Sequence, residues 1–471
     1  MRKIIKNGVI VSPSDIYKAD ILIENGKISM ISNEITPNVD DDVIDANGQY
    51  VFPGGVDVHT HFDFIGTADD FESGSRAAAA GGITTVVNFV EPEKDLDLVE
   101  NFRDWKNRRT KNACIDYALQ PIINADYYDR LLEDLPVLVN EGVAIIKMFM
   151  SYRKAGLIVD DVQLYKVLKK AGELGVLTNV HCENGDVIDQ IVEESVAAGN
   201  TLPVNHGYTR LPILEAEATF RAISIAQAAN APVRVVHVSC TEAKDVIELA
   251  QKRGVNVLAE TCPHYLARDI SYFNQPNFEG AKYVCAPPLR EKWHQDALWE
   301  GLNSGVITTI GSDHSPVNFE GEYSKQLGRD VWAKIPNGIP GVEEMFSIIY
   351  HYGVHEKRIS LQKFVEVLCA NPAKEFGLYP KKGCINVGSD ADIVIFDPNQ
   401  TKTITKATQY HKTDYSVFEG EQVQGVITSV LSRGDVIVKD GTFIGKVGHG
   451  EYLNCKKMKN ENSQQDSYAL T

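Results

Sequence analysis

A rhythm in the middle of the chain constrains its fold more than any other feature. Between about residue 55 and residue 380, apolar runs of strand type alternate with helical stretches. The runs are TTVVNFV, VAIIKMFM, VLTNVH, RVVHVS, NVLAET and VITTIGSDH, and the helical stretches include GDVIDQIVEESVAAG and TEAKDVIELAQKRG. The runs lack polar alternation, so each strand is expected to be buried on both faces, as in a parallel sheet covered by crossover helices. Repetition of this unit predicts an α/β chain folded as a (β/α)8 TIM barrel over residues 53–380.

The two ends read differently. Asn7-Gly8 and Asn25-Gly26 each separate β-rich stretches, the strongest short-range hairpin signal. The pattern returns in ADIVIFDP and GVITSVLSRGDVIVKDG, with Gly434-Asp435 and Asp440-Gly441 as turns. Residues 1–52 and 381–450 are therefore expected to meet as one small β-sandwich, because chain termini commonly lie close together. Residues 451–471 are polar and aperiodic and read as a tail, either disordered or packed on another subunit.

Composition removes several function classes. With 43% hydrophobic and 24% charged residues, the 471-residue chain has the make-up of a globular protein with a large core. No apolar run exceeds four residues, so neither a membrane span nor a secretion signal is expected. The net charge of −17 and the lack of a Lys/Arg stripe argue against nucleic acid as a partner. Eight cysteines form no CxxC pair, and several sit in apolar runs such as YVCA and VLCA. Free, buried thiols in a reduced cytoplasmic setting are the expectation.

Active groups of such barrels stand at the C-terminal ends of the strands. Five strand ends here carry metal-ligand types: His59 and His61 in DVHTH, Lys147 in VAIIKMFM, His181 after TNV, His237 after RVV, and Asp313-His314 after TTIGS. His59 and His61 are two apart, so an extended strand turns both rings to one face. Either a lone HxH or a lone strand-end histidine is weak evidence; four histidines and an aspartate at the mouth of one barrel point to bound metal. Lys147 is the oddity, since an ammonium inside an apolar strand must be paired or neutralised. It either pairs with a barrel carboxylate such as Asp313, or it adds CO2 as a neutral amine and becomes a carbamate whose two oxygens bridge two cations.

These motifs resemble those of the cyclic amidohydrolases, most closely the dihydropyrimidinase/D-hydantoinase branch. The resemblance rests on FPGGVDVHTHFD, DDFESGSRAAAAGGITTVVNFVEP, IKMFMSYRK, NVHCENGD, RVVHVS, AETCPHYL, AKYVCAPPLRE, GSDHSP and LGRDVWAKIPNGIPGVEE, in that order from about residue 52 to 344. It implies the terminal β-sandwich and a binuclear-metal hydrolase that opens the cyclic amide of dihydropyrimidines or hydantoins to N-carbamoyl amino acids. His59, His61 and Asp313 would hold one divalent ion and His181 and His237 the other. Lys147, as N6-carboxylysine, would bridge both together with a hydroxide. Zinc is the usual ion of the family, although manganese and other divalent ions suit such N/O sites. Tyr152 would donate to the carbonyl oxygen under attack, and Asp313 would shuttle the proton to the leaving nitrogen. Asn337 and the backbone of Ala286 would hydrogen-bond the amide edge of a small-molecule substrate. Relatives are commonly homo-oligomers, tetramers or dimers.

The chain departs from its relatives at Ala286, where the family often has Ser; a contact made by the main chain would survive the loss of that hydroxyl, whereas loss of a side-chain hydrogen bond would shift substrate preference. Dihydroorotase-like chains place an Arg for the substrate carboxylate where this one has Asp63, and an anion there would repel it. Allantoinase-like chains carry a Met-Pro pair in place of the NFVEP stretch, which ranks allantoin hydrolysis second. A non-catalytic scaffold, as in animal relatives that lost metal ligands, conflicts with the six ligand types retained. Phe62, Phe64 and Phe149 are the expected contacts for a ring substituent, and His314 and His264 are expected to be structural.

Overall fold

The computed structural model describes residues 2–124 and 127–457. Five strands open the chain: β1 (Lys3–Val11), β2 (Ile16–Glu24), β3 (Lys27–Ser32), β4 (Asp42–Asp45) and β5 (Tyr50–Pro53). Eight strands follow in the middle: β6 (Gly55–Thr60), β7 (Ile83–Val90), β8 (Asp116–Pro121), β9 (Ile145–Phe149), β10 (Leu177–His181), β11 (Val233–Val235), β12 (Val257–Thr261) and β13 (Thr309–Ile310). Four close it: β14 (Ile393–Thr403), β15 (Gln422–Ser432), β16 (Asp435–Lys439) and β17 (Thr442–Phe443).

The middle eight form the barrel. β6, β7 and β8 pair in parallel as one arc and β9 to β13 as another. Parallel bridges Ile122–Lys147 and Thr60–His314 close the two seams. Every residue of β6, β7, β8, β9 and β10 is buried, which is why these segments read as continuous apolar runs rather than alternating ones. The two helices read from sequence are present as Gly185–Ala197, capped by the Asn184 side chain, and Thr241–Lys252.

The strands of both termini join in one nine-stranded sheet, ordered β17-β16-β15-β14-β5-β1-β2-β3 with β4 on β1, and make the expected β-sandwich. Its own core gathers Ile5, Ile10, Ile21, Ile23, Val51, Ile393, Ile395 and Leu431. Asn25-Gly26 is the β2–β3 hairpin turn, with both residues at positive φ (53° and 76°). Asn7-Gly8 is not a hairpin turn. It lies inside β1 as a bulge, where the ladder to β2 slips between Ile5 and Gly8 and the Asn7 N–H donates to the Asp20 carboxylate at 2.9 Å. Asn7 takes positive φ (58°) in the bulge as Asn25 does in the turn, so local sequence does not separate the two.

Barrel and sandwich are tied through charge as well as apolar surface. The fully buried Lys382 reaches Asp116 on β8 at 2.5 Å, Asp392 at 2.7 Å and Asp390 at 3.0 Å. Residues 451–457, assigned on sequence to the tail, lie instead along the barrel: Tyr117 donates its N–H to Glu451, and Leu453 donates back to Tyr117 at 2.7 Å. Leu453 and Cys455 are buried, so the polar look of this stretch hides two apolar anchors. The rest of the expected tail, 458–471, lies outside the described residues. All eight cysteines are free and buried. No helix among the described residues is long and apolar enough to cross a membrane.

Candidate metal centre and ligand pocket

The strand ends converge as the barrel geometry requires. His59 is the penultimate residue of β6 and His61 follows the strand; Lys147 is the middle residue of β9 and His181 the last of β10. His237 stands two residues beyond β11 and Asp313 three beyond β13. His237 and Asp313 both hold positive φ, 43° and 49°, and Tyr152 does so at 67°. Each such conformation costs on the order of 1–3 kcal/mol for a non-glycine residue, and strain of this kind gathers at functional sites.

Two groups of donors face one another. His59 Nε2 lies 3.0 Å and His61 Nε2 3.1 Å from the same Asp313 oxygen, so the three residues converge within 4.8 Å and could hold a cation. His181 Nδ1 and His237 Nε2 approach to 2.8 Å. The rings of His59 and His237 are 5.5 Å apart, close enough for the two groups to serve one binuclear centre. Lys147 is 1% exposed, with Nζ 4.9 Å from the Phe149 ring and 5.3 Å from Phe89. Among the described residues it makes no ion pair, which disfavours the reading in which Asp313 merely neutralises it.

Burial and partners set the protonation of these groups. Burial pulls Lys147 down to about 8, against the raising influence of Asp313 and Glu260, so a share of neutral amine is available near neutral pH. Burial lowers His61 to about 4 and, together with the neighbouring His181, takes His237 well below its ordinary value. Neutral imidazoles with free lone pairs are what a metal site needs. Burial also acts on His59, but the facing carboxylates of Glu260 and Asp313 overcome it and raise that histidine. Among the described residues, the buried His237 Nδ1 has no hydrogen-bond partner. The donor set of four imidazoles, one carboxylate and an amine that can be carboxylated fits divalent ions of the zinc type.

All nine residues singled out on sequence line one cavity of about 290 Å³: His59, His61, Lys147, Tyr152, His181, His237, Ala286, Asp313 and Asn337. Asn337 Nδ2 lies 3.5 Å from Tyr152 Oη, and among the described residues the buried Asn337 Oδ1 has no hydrogen-bond partner. Phe64 and Phe149 line the cavity as expected. Phe62 does not: it is fully buried, edge-on to Phe71 and His314, because its place one residue past His61 turns its ring towards the helices. Asp63 also misses the cavity and faces Arg109 at 3.6 Å, so the repulsion expected from it is partly neutralised, although no arginine takes its place. His314 is structural, with Nε2 3.0 Å from Asp69 and Nδ1 accepting from Gly341 and Val342.

Some residues that shape the site escape sequence reading. Glu260, on β12, accepts from His59 Nδ1 at 2.5 Å and from Arg234 at 2.8 Å, which orients the ring for metal binding through Nε2. Its signal was a glutamate ending the apolar run NVLAET. Glu183 does the same for His181 Nε2 at 2.8 Å and is itself clamped by Arg210 at 2.6 and 3.0 Å. Glu91 and Tyr323 complete the wall, and nothing local marked them.

The chain matches the model of the amidohydrolase family over residues 50–437. It is 48% identical to a D-hydantoinase of Geobacillus stearothermophilus over 465 residues, covering 97% of each chain. A crystal structure of dihydropyrimidinase from Brevibacillus agri superposes with a TM-score of 0.94 at 46% identity, covering 98% of this chain and all of the other. An L-hydantoinase (dihydropyrimidinase) from Arthrobacter aurescens is more distant, with a TM-score of 0.88 at 30% identity over 96% of this chain and 99% of the other. With strand-end donors, cavity and whole-length similarity in agreement, this chain belongs to the amidohydrolase family.

Proposed function

We propose that the protein hydrolyses the cyclic amide bond of dihydropyrimidines or hydantoins, giving N-carbamoyl amino acids. The observation that carries the reading is the convergence of six metal-type donors with Tyr152 and Asn337 on one cavity sized for a small ring. The similarity to D-hydantoinases and dihydropyrimidinases along nearly the whole chain supports the substrate class.

In this reading His59, His61 and Asp313 would hold one divalent ion and His181 and His237 the second, and Lys147, as N6-carboxylysine, would add a carboxylate to the centre. When bound, two such ions, zinc by preference of the donor set, supply a water acidified towards pH 7 and polarise the amide carbonyl. Burial, with Arg210 opposing it, holds the Tyr152 phenol far above its ordinary pKa, so it stays a donor and gives its O–H to the developing oxyanion. Asn337 has an amide to offer both to a ring carbonyl and, through its unpartnered Oδ1, to a ring N–H. The main chain at Ala286 holds the same edge, so the missing serine hydroxyl costs nothing essential. Asp313 takes the proton from the attacking water at its carboxylate and returns it to the leaving ring nitrogen. A setting in the reducing cytoplasm is supported by eight free buried thiols. A homo-oligomer, tetramer or dimer, is supported by exposed apolar side chains at Tyr208, Ile213 and Phe220.

Assay of dihydrouracil, hydantoin and allantoin tests the reaction, and ring opening of allantoin alone would replace it with allantoinase chemistry. Metal analysis should find about two divalent ions per chain, as expected of a two-metal site. Lys147→Ala should lose at least one ion and all turnover, with partial rescue by short carboxylates; turnover at the parent rate would contradict this role of Lys147.

A further inference from the structure

Lys325 lies outside the cavity and outside every motif assigned a role above, yet it is one of the largest fully buried side chains of the molecule. Among the described residues it has no carboxylate partner. Its Nζ donates instead to three main-chain carbonyls, Val284 at 2.8 Å, Pro336 at 2.7 Å and Gly338 at 2.7 Å. These belong to two separate segments. Pro336 and Gly338 flank Asn337, and Val284 stands two residues before Ala286.

We infer that Lys325 is a positioning residue for substrate binding, whose ammonium clamps the Asn337 and Ala286 segments at the spacing that grips a cyclic amide edge. The inference rests on the proposed role of those two residues. An ammonium has three hydrogens, and all three are used here. The Pro336 carbonyl lies in the peptide plane that enters Asn337 and the Gly338 carbonyl in the plane beyond Gly338, so the clamp grips the chain on both sides of the residue whose side chain it aims. The backbone bond from Gly338 N to Val284 O, at 3.1 Å, joins the same two segments and leaves the Pro336 and Gly338 carbonyls dependent on Lys325. Gly338 adds a close approach: a Cβ there would meet the Ser315 carbonyl oxygen at 2.2 Å, so this loop cannot shift towards β13 to compensate. Burial pulls the lysine down to about 7 against the raising influence of Cys285, and the ammonium form alone has a hydrogen for each of the three carbonyls.

A clamp of this kind differs from mere support of the fold in what it changes. Loss of the ammonium frees the substrate-binding segments but leaves every metal donor in place, so substrate affinity should fall while metal content holds. In the metal-loaded enzyme, Lys325→Met is expected to raise KM for dihydrouracil by about tenfold, with kcat and bound metal within about twofold of the parent. Lys325→Gln, with two hydrogens to donate, should fall between the two and serves if the Met variant does not fold. In an Asn337→Ala background the same substitution should add less than about twofold, because the residue it positions is gone. An unchanged KM in either folded, metal-replete variant, or an equal loss in both backgrounds, would overturn the clamp. If Asn337→Ala itself leaves KM unaltered, the reading of the pocket falls and the clamp with it. If Asn337→Ala raises KM and the Lys325 variants do not, the clamp alone is wrong.

Discussion

At the scale of single residues, the site is a set of groups that would be unstable anywhere else. His237 and Asp313 keep left-handed backbone, and among the described residues the buried Lys147 makes no ion pair and the buried Asn337 Oδ1 has no hydrogen-bond partner. Each costs free energy, and under the proposed function a carbamate would satisfy the buried amine and a substrate amide the Asn337 oxygen. Tyr152 belongs with them, because its left-handed backbone turns the phenol towards Asn337 and the His181 ring, 5.3 Å away. Tyr152→Phe keeps the ring and deletes the donor, so kcat should drop by about 10²–10³, the usual cost of one oxyanion donor. A change confined to KM would mean that the ring only places the substrate.

At the scale of elements, the segment 409–416 is held over the barrel by acidic side chains. Glu343 accepts from the N–H groups of Tyr410 and His411, and Glu344 accepts from Gln409 and Ser416. The two acids are adjacent and buried, and they titrate apart. Burial and the Glu344 charge raise Glu343 to about 7, while the contacts with His411, Ser416 and Gln409 overcome burial and take Glu344 down to about 2. The folded pKa of Glu343 lies above its ordinary value, so the stability it contributes is complete below about pH 4.5 and lost as pH rises through 7. Glu343→Gln resembles the protonated acid and keeps the accepting oxygen. Urea unfolding should show this variant about 1–3 kcal/mol more stable than the parent at pH 8 and nearly equal to it at pH 4 to 5. A less stable variant at pH 8 would mean that the carboxylate's hydrogen bonds outweigh the repulsion.

At the scale of the whole molecule, a barrel with metal-type donors at its mouth is fastened to a sandwich made of both chain ends. Lys382 is the chief polar fastening. With no exposure, its removal would leave Asp390 and Asp392 without their buried cation, while Arg433 keeps its contact with Asp116. Lys382→Met should therefore destabilise the protein by about 3–5 kcal/mol, as breaking a buried ion pair does. Thermal unfolding of the metal-loaded variant, compared with its metal content, tests this. A variant with parental stability would show that the remaining contacts, Arg433 with Asp116 among them, suffice to join the two bodies.

What the chain determines locally is the barrel, both hairpin-rich ends and the donors. Strands buried on both faces must be continuous runs of apolar residues, so a histidine, lysine or aspartate at such a strand end stands out without any knowledge of its neighbours. His59, His61, Lys147, His181, His237 and Asp313 were legible for that reason, and the family motifs added Tyr152, Ala286 and Asn337. Tertiary structure decided the rest. Whether Asn7-Gly8 turns or bulges depends on the strand laid against it, and the direction of Phe62 depends on the helices packed outside the barrel. Glu260, Glu183 with Arg210, and Lys325 matter through partners far along the chain, where contact is set by the closing of the barrel and not by any pattern within a window of sequence. Period and composition report how deeply a residue is buried; only the folded backbone decides which buried polar atoms meet.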